Sequence, residues 1–237
     1  MKKYRFLLCL FGFLLSTTLC AQIGKLFTTN MGLPSSMVNK VFQDKRGIIW
    51  IATDDGLTSY NGAKFTTYKQ NRDKEFSLVS NYVKTIADDS KGNLYVGTLT
   101  GAQLYDFATD KFLDIVLLGF NNDTVPANVT TIIERRSGDI LIGTSGYGVF
   151  RLDADRNSLV ARPIDLPVSS TLINLIYEDR NDYLWVGSGA SNQELVCIDA
   201  NNQIKKKFDA EKAVWNSISS ICEDTSGILY VGSLEKG

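Results

Sequence analysis

Asp54 and Asp55 stand side by side at the end of the apolar stretch RGIIWIATDDGLTSY (residues 46–60), with Gly56 immediately after them. Neighbouring carboxylates can do general acid–base work when they converge on one substrate, and acids at Asp44, Asp89, Asp179 and Asp224 could join them. The chain has no histidine, which excludes histidine-based triads, imidazole metal ligands and an autophosphorylated histidine within these 237 residues. Cys197 and Cys222 lack a nearby cysteine at metal-ligand spacing, and Asp110, Asp123, Asp153 and Asp155 do not form a calcium-loop pattern. GTSGYG lacks the lysine and the following helix of a phosphate loop. Neither a metal nor a cofactor is expected.

The spacing of the acids argues against a catalytic pair. An aromatic or leucine anchor recurs at Trp50, Tyr95, Leu141, Trp185 and Tyr230, every 44 to 46 residues. Six positions before each anchor stand Asp44, Asp89, Arg135, Asp179 and Asp224, and three before it Gly47, Gly92, Gly138, Asp182 and Gly227. Two after it come Ala52, Gly97, Gly143, Gly187 and Gly232. An acid repeated at this period occupies equivalent turns, where its side chain caps backbone N–H groups. The anchors are expected to pack between units, with the small residue allowing close approach of adjacent sheets.

Each unit reads as four short strands. In the first, Val41 to Gln43 precedes the turn Asp44–Gly47, Ile48 to Thr53 follows, Asp54–Gly56 turns into Leu57 to Tyr60, and Asn61-Gly62 turns into Lys64 to Tyr68. The fold class expected is all-β: a β-propeller of four-stranded antiparallel blades, with four complete repeats over 21–237 and a partial fifth. A propeller closes its first blade on its last, so these repeats are expected to be part of a larger ring. A sandwich would not demand the same turn in every period.

Residues 1–20 read as a secretory signal peptide: MKKYR is the positive segment, FLLCLFGFLL the apolar one, and STTLC leads to cleavage after Cys20. The apolar run is short for a membrane anchor, and Leu19 is bulky for a lipoprotein site. The expected location is the periplasm. A formal charge of −1 gives no reason to expect a nucleic-acid partner, and Lys205-Lys206-Lys207 reads as a solvated strand edge. Cys197 and Cys222 read as separate core residues, although export leaves a disulfide open.

DKRGIIWIATDDGLTSYNGAKFTTY, DSKGNLYVGTLTGAQLYDFATDKF and EDRNDYLWVGSG resemble the two-component regulator propeller repeat. FTTNMGLPSSMVNKVFQD is similar to the start of the periplasmic sensor region of hybrid two-component histidine kinases, known chiefly from gut Bacteroidetes. The third unit departs from the pattern at Arg135 and Leu141, and the fourth at Asp182 and an insertion near Ser191–Glu194. The resemblance implies a dimeric sensor of two propellers and a β-sandwich that binds glycan fragments and signals through an inner-membrane helix to a cytoplasmic kinase. None of the kinase residues is in this chain.

Ligand contacts would fall in loops on one face: Asp54–Gly56, Leu99–Gly101, Ser145–Gly148 and Gly189–Gln193, with Pro34–Ser36, Ser77–Asn81, Pro126–Asn128 and Ser169–Ser170. For the oligosaccharide implied, Tyr82 and Tyr147 offer stacking rings, and Asn81, Asn128, Asn192, Gln193, Asp54 and Asp55 offer polar groups. The function expected is ligand sensing without turnover. The alternatives are an interaction scaffold with no small ligand, or a propeller lyase or hydrolase built on Asp, Glu, Tyr or a metal.

Overall fold

The computed structural model describes residues 26–153, 158–189, 194–209 and 218–233. The signal-peptide expectation for residues 1–20 lies outside them. Among the described residues no helix is long and apolar enough to cross a membrane.

Strands account for nearly all regular structure. The first sheet comprises β1 (Val38–Gln43), β2 (Ile49–Thr53), β3 (Gly56–Tyr60) and β4 (Phe65–Tyr68). The second holds β5 (Val83–Asp88), β6 (Leu94–Thr98), β7 (Ala102–Asp106) and β8 (Lys111–Leu117). The third holds β9 (Val129–Glu134), β10 (Ile140–Thr144), β11 (Val149–Leu152) and β12 (Val160–Ile164). The fourth has β13 (Ile173–Glu178), β14 (Leu184–Ser188), β15 (Glu194–Ile198) and β16 (Ile204–Asp209), and the last pair is β17 (Ile218–Glu223) and β18 (Leu229–Ser233). Within each sheet the strands pair antiparallel in sequence order. The first strands of successive sheets pack on one another and so form the inner wall. The fold is an all-β propeller-like array, as the period implied.

One connection was not legible in the sequence. Val160 and Ala161 pair in parallel with Val116 and Leu117, which joins the outer edges of the second and third sheets. Both edge strands are buried there on one side, with Leu117 and Ala161 in the same apolar cluster.

The repeated turn has one geometry throughout. In the first sheet, Arg46 N and Ile48 N donate to Asp44 Oδ1 at 2.9 and 3.0 Å. The same two bonds occur at Asp89, Asp179 and Asp224. Left-handed backbone recurs at Gly47, Gly92, Gly138 and Gly227, with φ between 80° and 87°. Asp182 adopts it too, at φ 63°, a conformation that aspartate tolerates better than most side chains. The substitution therefore keeps the turn.

Packing between sheets follows from the anchors. Trp50 is 1% exposed and meets Tyr105 and Phe107 of the next sheet edge-on, at 5.2 and 6.2 Å between ring centroids. Tyr95, Leu141 and Trp185 are also buried. Tyr230 departs from the expectation: it is 55% exposed, because among the described residues no further sheet lies against it. A Cβ at Gly97 would meet Val129 Cγ1 at 2.6 Å, and one at Gly143 would meet Ile173 Cγ2 at 2.9 Å, so neighbouring sheets approach closely there.

A second column of acids binds the sheets at the turn end. Ser90 N and Oγ donate to Glu134, Arg136 N to Glu178, and Arg180 N to Glu223, each across one sheet boundary. Asp88 faces Lys45 in the same way. The signal was present in the sequence, since an acid immediately precedes the turn residue in units two to five.

Candidate functional site

The turns between second and third strands do meet the segments leading into first strands. Asp54 N donates to Met37 O, Leu99 N to Tyr82 O, Ser145 N to Asn128 O and Gly189 N to Leu172 O, at 2.8 to 3.3 Å. The described parts of the candidate loops therefore share one face. Asn192 and Gln193 lie outside the described residues.

The first cluster on that face brings Asp55 and Asn81 together. Lys69 Nζ pairs with Asp55 Oδ2 at 2.6 Å, Asn81 Nδ2 donates to Asp55 Oδ1 at 3.2 Å, and Gln70 N donates to Asn81 Oδ1 at 2.7 Å. These groups are engaged in holding the loop over residues 69–81. Asp54 differs: its Oδ1 is buried without a hydrogen-bond partner. Tyr82 is exposed beside this cluster, and its N–H donates to Ser80 Oγ. The two adjacent carboxylates thus have separate surroundings and do not form an acid–base pair. Among the described residues no group of three or more His, Cys, Asp or Glu side chains could hold a metal ion.

The second cluster lies between the third and fourth sheets. Tyr147 sits in the turn Ser145–Gly148, fixed because Gly146 N and Gly148 N both donate to Thr171 O, at 3.0 and 2.9 Å. A cavity of about 160 Å³ opens there, lined by Phe120, Tyr147, Asp165, Ser169, Ser170 and Thr171 among others. Phe120 is 77% exposed and Tyr147 43%. Phe120 was not a sequence candidate. It is carried on the tight loop after β8, closed by Gly119 N donating to Asp123 O at 2.8 Å, and nothing in its local sequence marks it. Asn128, which accepts Ser145 N through its carbonyl, has a buried Oδ1 with no hydrogen-bond partner.

Beneath this cluster Glu194 anchors the segment that carries Ser169. Its Oε1 accepts from Ser169 N and from Ser188 Oγ, the latter at 3.0 Å, and its Oε2 faces Lys207 Nζ at 2.8 Å. Burial works against its ionisation, but Lys207 and the two serines outweigh it and hold the carboxyl below the usual glutamate range. The lysine run is therefore only partly solvated, with Lys205 paired to Asp199 and Lys207 to Glu194. Of the two cysteines among the described residues, Cys197 is buried as expected, whereas Cys222, the cross-strand partner of Tyr230, is exposed like it, and both are free thiols.

The geometry defines a class: a propeller of four-stranded sheets with a loop face that holds exposed aromatics beside hydroxyls and a carboxylate. Within that class, residues 32–55, 77–100 and 167–190 match the family of the two component regulator propeller. These segments fall at units one, two and four, and the unmatched third unit is the one with Arg135 and Leu141. No curated protein sequence matches the chain. Among solved structures, the extracellular domain of BT4673 from B. thetaiotaomicron, described as a hybrid two component system, aligns with a TM-score of 0.68 at 21% identity, over 83% of this chain and 28% of that one. The corresponding domain of BT3049 from the same organism aligns with a TM-score of 0.53 at 20% identity, over 88% and 34%. Virginiamycin B lyase from Staphylococcus aureus shares the fold as well, with a TM-score of 0.59 at 14% identity over 84% and 71%. The chain thus spans about a third or less of the two B. thetaiotaomicron domains.

Proposed function

We propose that this chain is part of an exported ligand-sensing propeller of a hybrid two-component receptor, with a glycan fragment as its ligand and no turnover of its own. The observation that carries the ligand is the Phe120–Tyr147 cavity, where two exposed rings stand beside Asp165 and the hydroxyls of Ser169, Ser170 and Thr171. Sugar rings present C–H faces that stack on aromatics, and hydroxyls that exchange hydrogen bonds with such groups. The match to the two component regulator propeller supports the receptor assignment. In this reading the repeats form part of a larger ring, whose parent chain adds a second propeller, a β-sandwich and an inner-membrane kinase and acts as a homodimer.

The lyase alternative draws on the shared fold with virginiamycin B lyase, but Asp54 and Asp55 have separate surroundings and no acid–base pair converges on the aromatic cavity. An interaction scaffold would use the loop face as a flat surface; the cavity favours a small ligand over that. A thermal-unfolding screen of neutral oligosaccharides against the wild-type chain, Phe120→Ala and Tyr147→Ala tests the proposal. The expected result is a saturable rise in midpoint for the wild type that both variants lose. Equal rises in all three proteins, or none in the wild type, would refute it.

A further inference from the structure

The outer edge of the second sheet is covered at two places and open between them. Phe112 N donates to Phe76 O at 2.9 Å, where the loop after β4 crosses β8. Val116 N donates to Leu159 O at 2.8 Å and Leu118 N to Ala161 O at 3.0 Å, where β12 joins the same edge. Residues 112, 116 and 118 thus point outward, and alternation along the strand turns Asp114 N–H and C=O the same way. β12 pairs with β8 only from Val116 onward. Among the described residues no backbone group meets Asp114 N–H or C=O on that edge.

A cleft of about 670 Å³ lies over this open position. Phe76, Phe112, Leu113, Asp114 and Leu159 line it, and the loop over residues 70–79 adds Arg72 and Glu75. Gln103, 1% exposed, sets the Asp114 carboxylate in place: its Nε2 donates to Asp114 Oδ1 at 2.7 Å and to Ser77 O at 3.0 Å. Its Oε1 accepts from Val79 N at 3.0 Å, so one buried side chain fixes both the loop and the acid. Among the described residues Asp114, Glu75 and Arg72 make no ion pair. The cleft therefore offers unpaired charges of both signs beside an open strand edge.

The length of that edge limits the occupant. From Phe112 to Val116 it runs for about 14 Å with both ends taken, too short for an added strand of ordinary length. It leaves one outward position. In an antiparallel ladder the residue opposite such a position exchanges both bonds with it, through its own N–H and C=O. An α-amino acid carries that pair of groups on a single carbon.

We propose that this cleft binds an α-amino acid unit, either free or at the end of a peptide. Its carboxylate or carbonyl oxygen accepts from Asp114 N, and its ammonium or N–H donates to Asp114 O. The carboxylates of Asp114 and Glu75 favour the ammonium and Arg72 the carboxylate. Half-buried Leu113 and Leu159 offer apolar surface to the ligand's side chain. The site is separate from the Phe120–Tyr147 cavity and does not depend on the sensing role.

Thermal unfolding of the full chain with L-leucine, leucyl-leucine, isoamylamine or 4-methylpentanoate, at equal ionic strength, tests this. The midpoint is expected to rise saturably with leucine or the dipeptide and not with the amine or the acid, each of which keeps only half of the exchange. A response to leucine alone identifies a free amino acid, and one to leucyl-leucine alone a peptide end; both support the site. Asp114→Asn and Arg72→Gln should each weaken the apparent affinity about tenfold, as expected for loss of a charged partner. No saturable rise with leucine or the dipeptide would overturn the proposal. So would an equal rise with isoamylamine or 4-methylpentanoate, or an unchanged response in either variant. The four ligands compared on the wild type decide the matter even if a variant fails to fold.

Discussion

Trp50 Nε1 donates to Asp44 Oδ2 at 2.9 Å, while the other oxygen of the same carboxylate holds the turn between their strands. Tyr95 and Asp89, Trp185 and Asp179, and Tyr230 and Asp224 repeat the relationship at 2.8 to 3.3 Å. The anchor and the turn acid are thus one device: the acid lets an aromatic with a polar tip be buried without an unsatisfied donor. The third unit lacks both halves, since Leu141 has no donor to satisfy and Arg135 pairs instead with Glu178 Oε1 at 2.8 Å.

This coupling is measurable. Asp44→Ala is expected to destabilise by about 2–4 kcal/mol, through two turn bonds and a buried indole N–H left unpaired. Trp50→Phe should cost less, and the double variant less than the sum, with a coupling of about 1–2 kcal/mol in a denaturant-unfolding cycle. Strict additivity would contradict the shared role.

The glycines after the anchors are not equivalent. A Cβ at Gly97 meets Thr85 Cγ2 at 2.5 Å and Val129 Cγ1 at 2.6 Å, whereas at Gly187 the nearest atom is Leu175 Cβ at 3.5 Å. Gly97→Ala should therefore destabilise by about 1–3 kcal/mol through overpacking, and Gly187→Ala should be nearly neutral. Equilibrium unfolding of the two single variants checks the contrast.

Glu194 gives the fold a pH dependence of defined sign. Its folded-state pKa is depressed, so its contribution is present above the ordinary glutamate value of 4.5 and is lost as pH falls through the folded value. Glu194→Gln is expected to lose about 1–3 kcal/mol at pH 7, with Ser169 and Lys207 deprived of a charged partner. The gap to the wild type should narrow below pH 4.5 in acid-unfolding curves.

What the sequence made legible was whatever repeats. The period and the left-handed turn position recur in register from Trp50 to Trp185, the turn acid does so in every unit but the third, and the close approach of the next sheet is found at Gly97 and Gly143 but not at Gly187. Single events were not legible. The parallel pairing of Val160 with Val116 depends on how two outer edges meet, and Phe120 reaches the cavity only because its loop folds toward Tyr147. Tyr230 shows a further limit, since burial depends on a neighbour as well as on the anchor's identity. Of the polar candidates, Asp55 and Asn81 are occupied by one another and by Lys69, a pairing across 26 residues that local spacing does not reveal.

The cavity residues should separate binding from folding. Phe120 and Tyr147 are exposed, so truncation to alanine is expected to change the unfolding midpoint little, within the range of about 0.5 kcal/mol usual for surface changes. A large loss of stability in either variant would mean that the ring is a packing element.

The most direct test of the sensing role is calorimetric titration of the chain with glycan fragments, followed by mass analysis of the recovered ligand. Saturable binding that Tyr147→Ala abolishes, with the glycan recovered intact, is the predicted result. Recovery of cleaved glycan would contradict the account, as would binding that survives loss of both Phe120 and Tyr147.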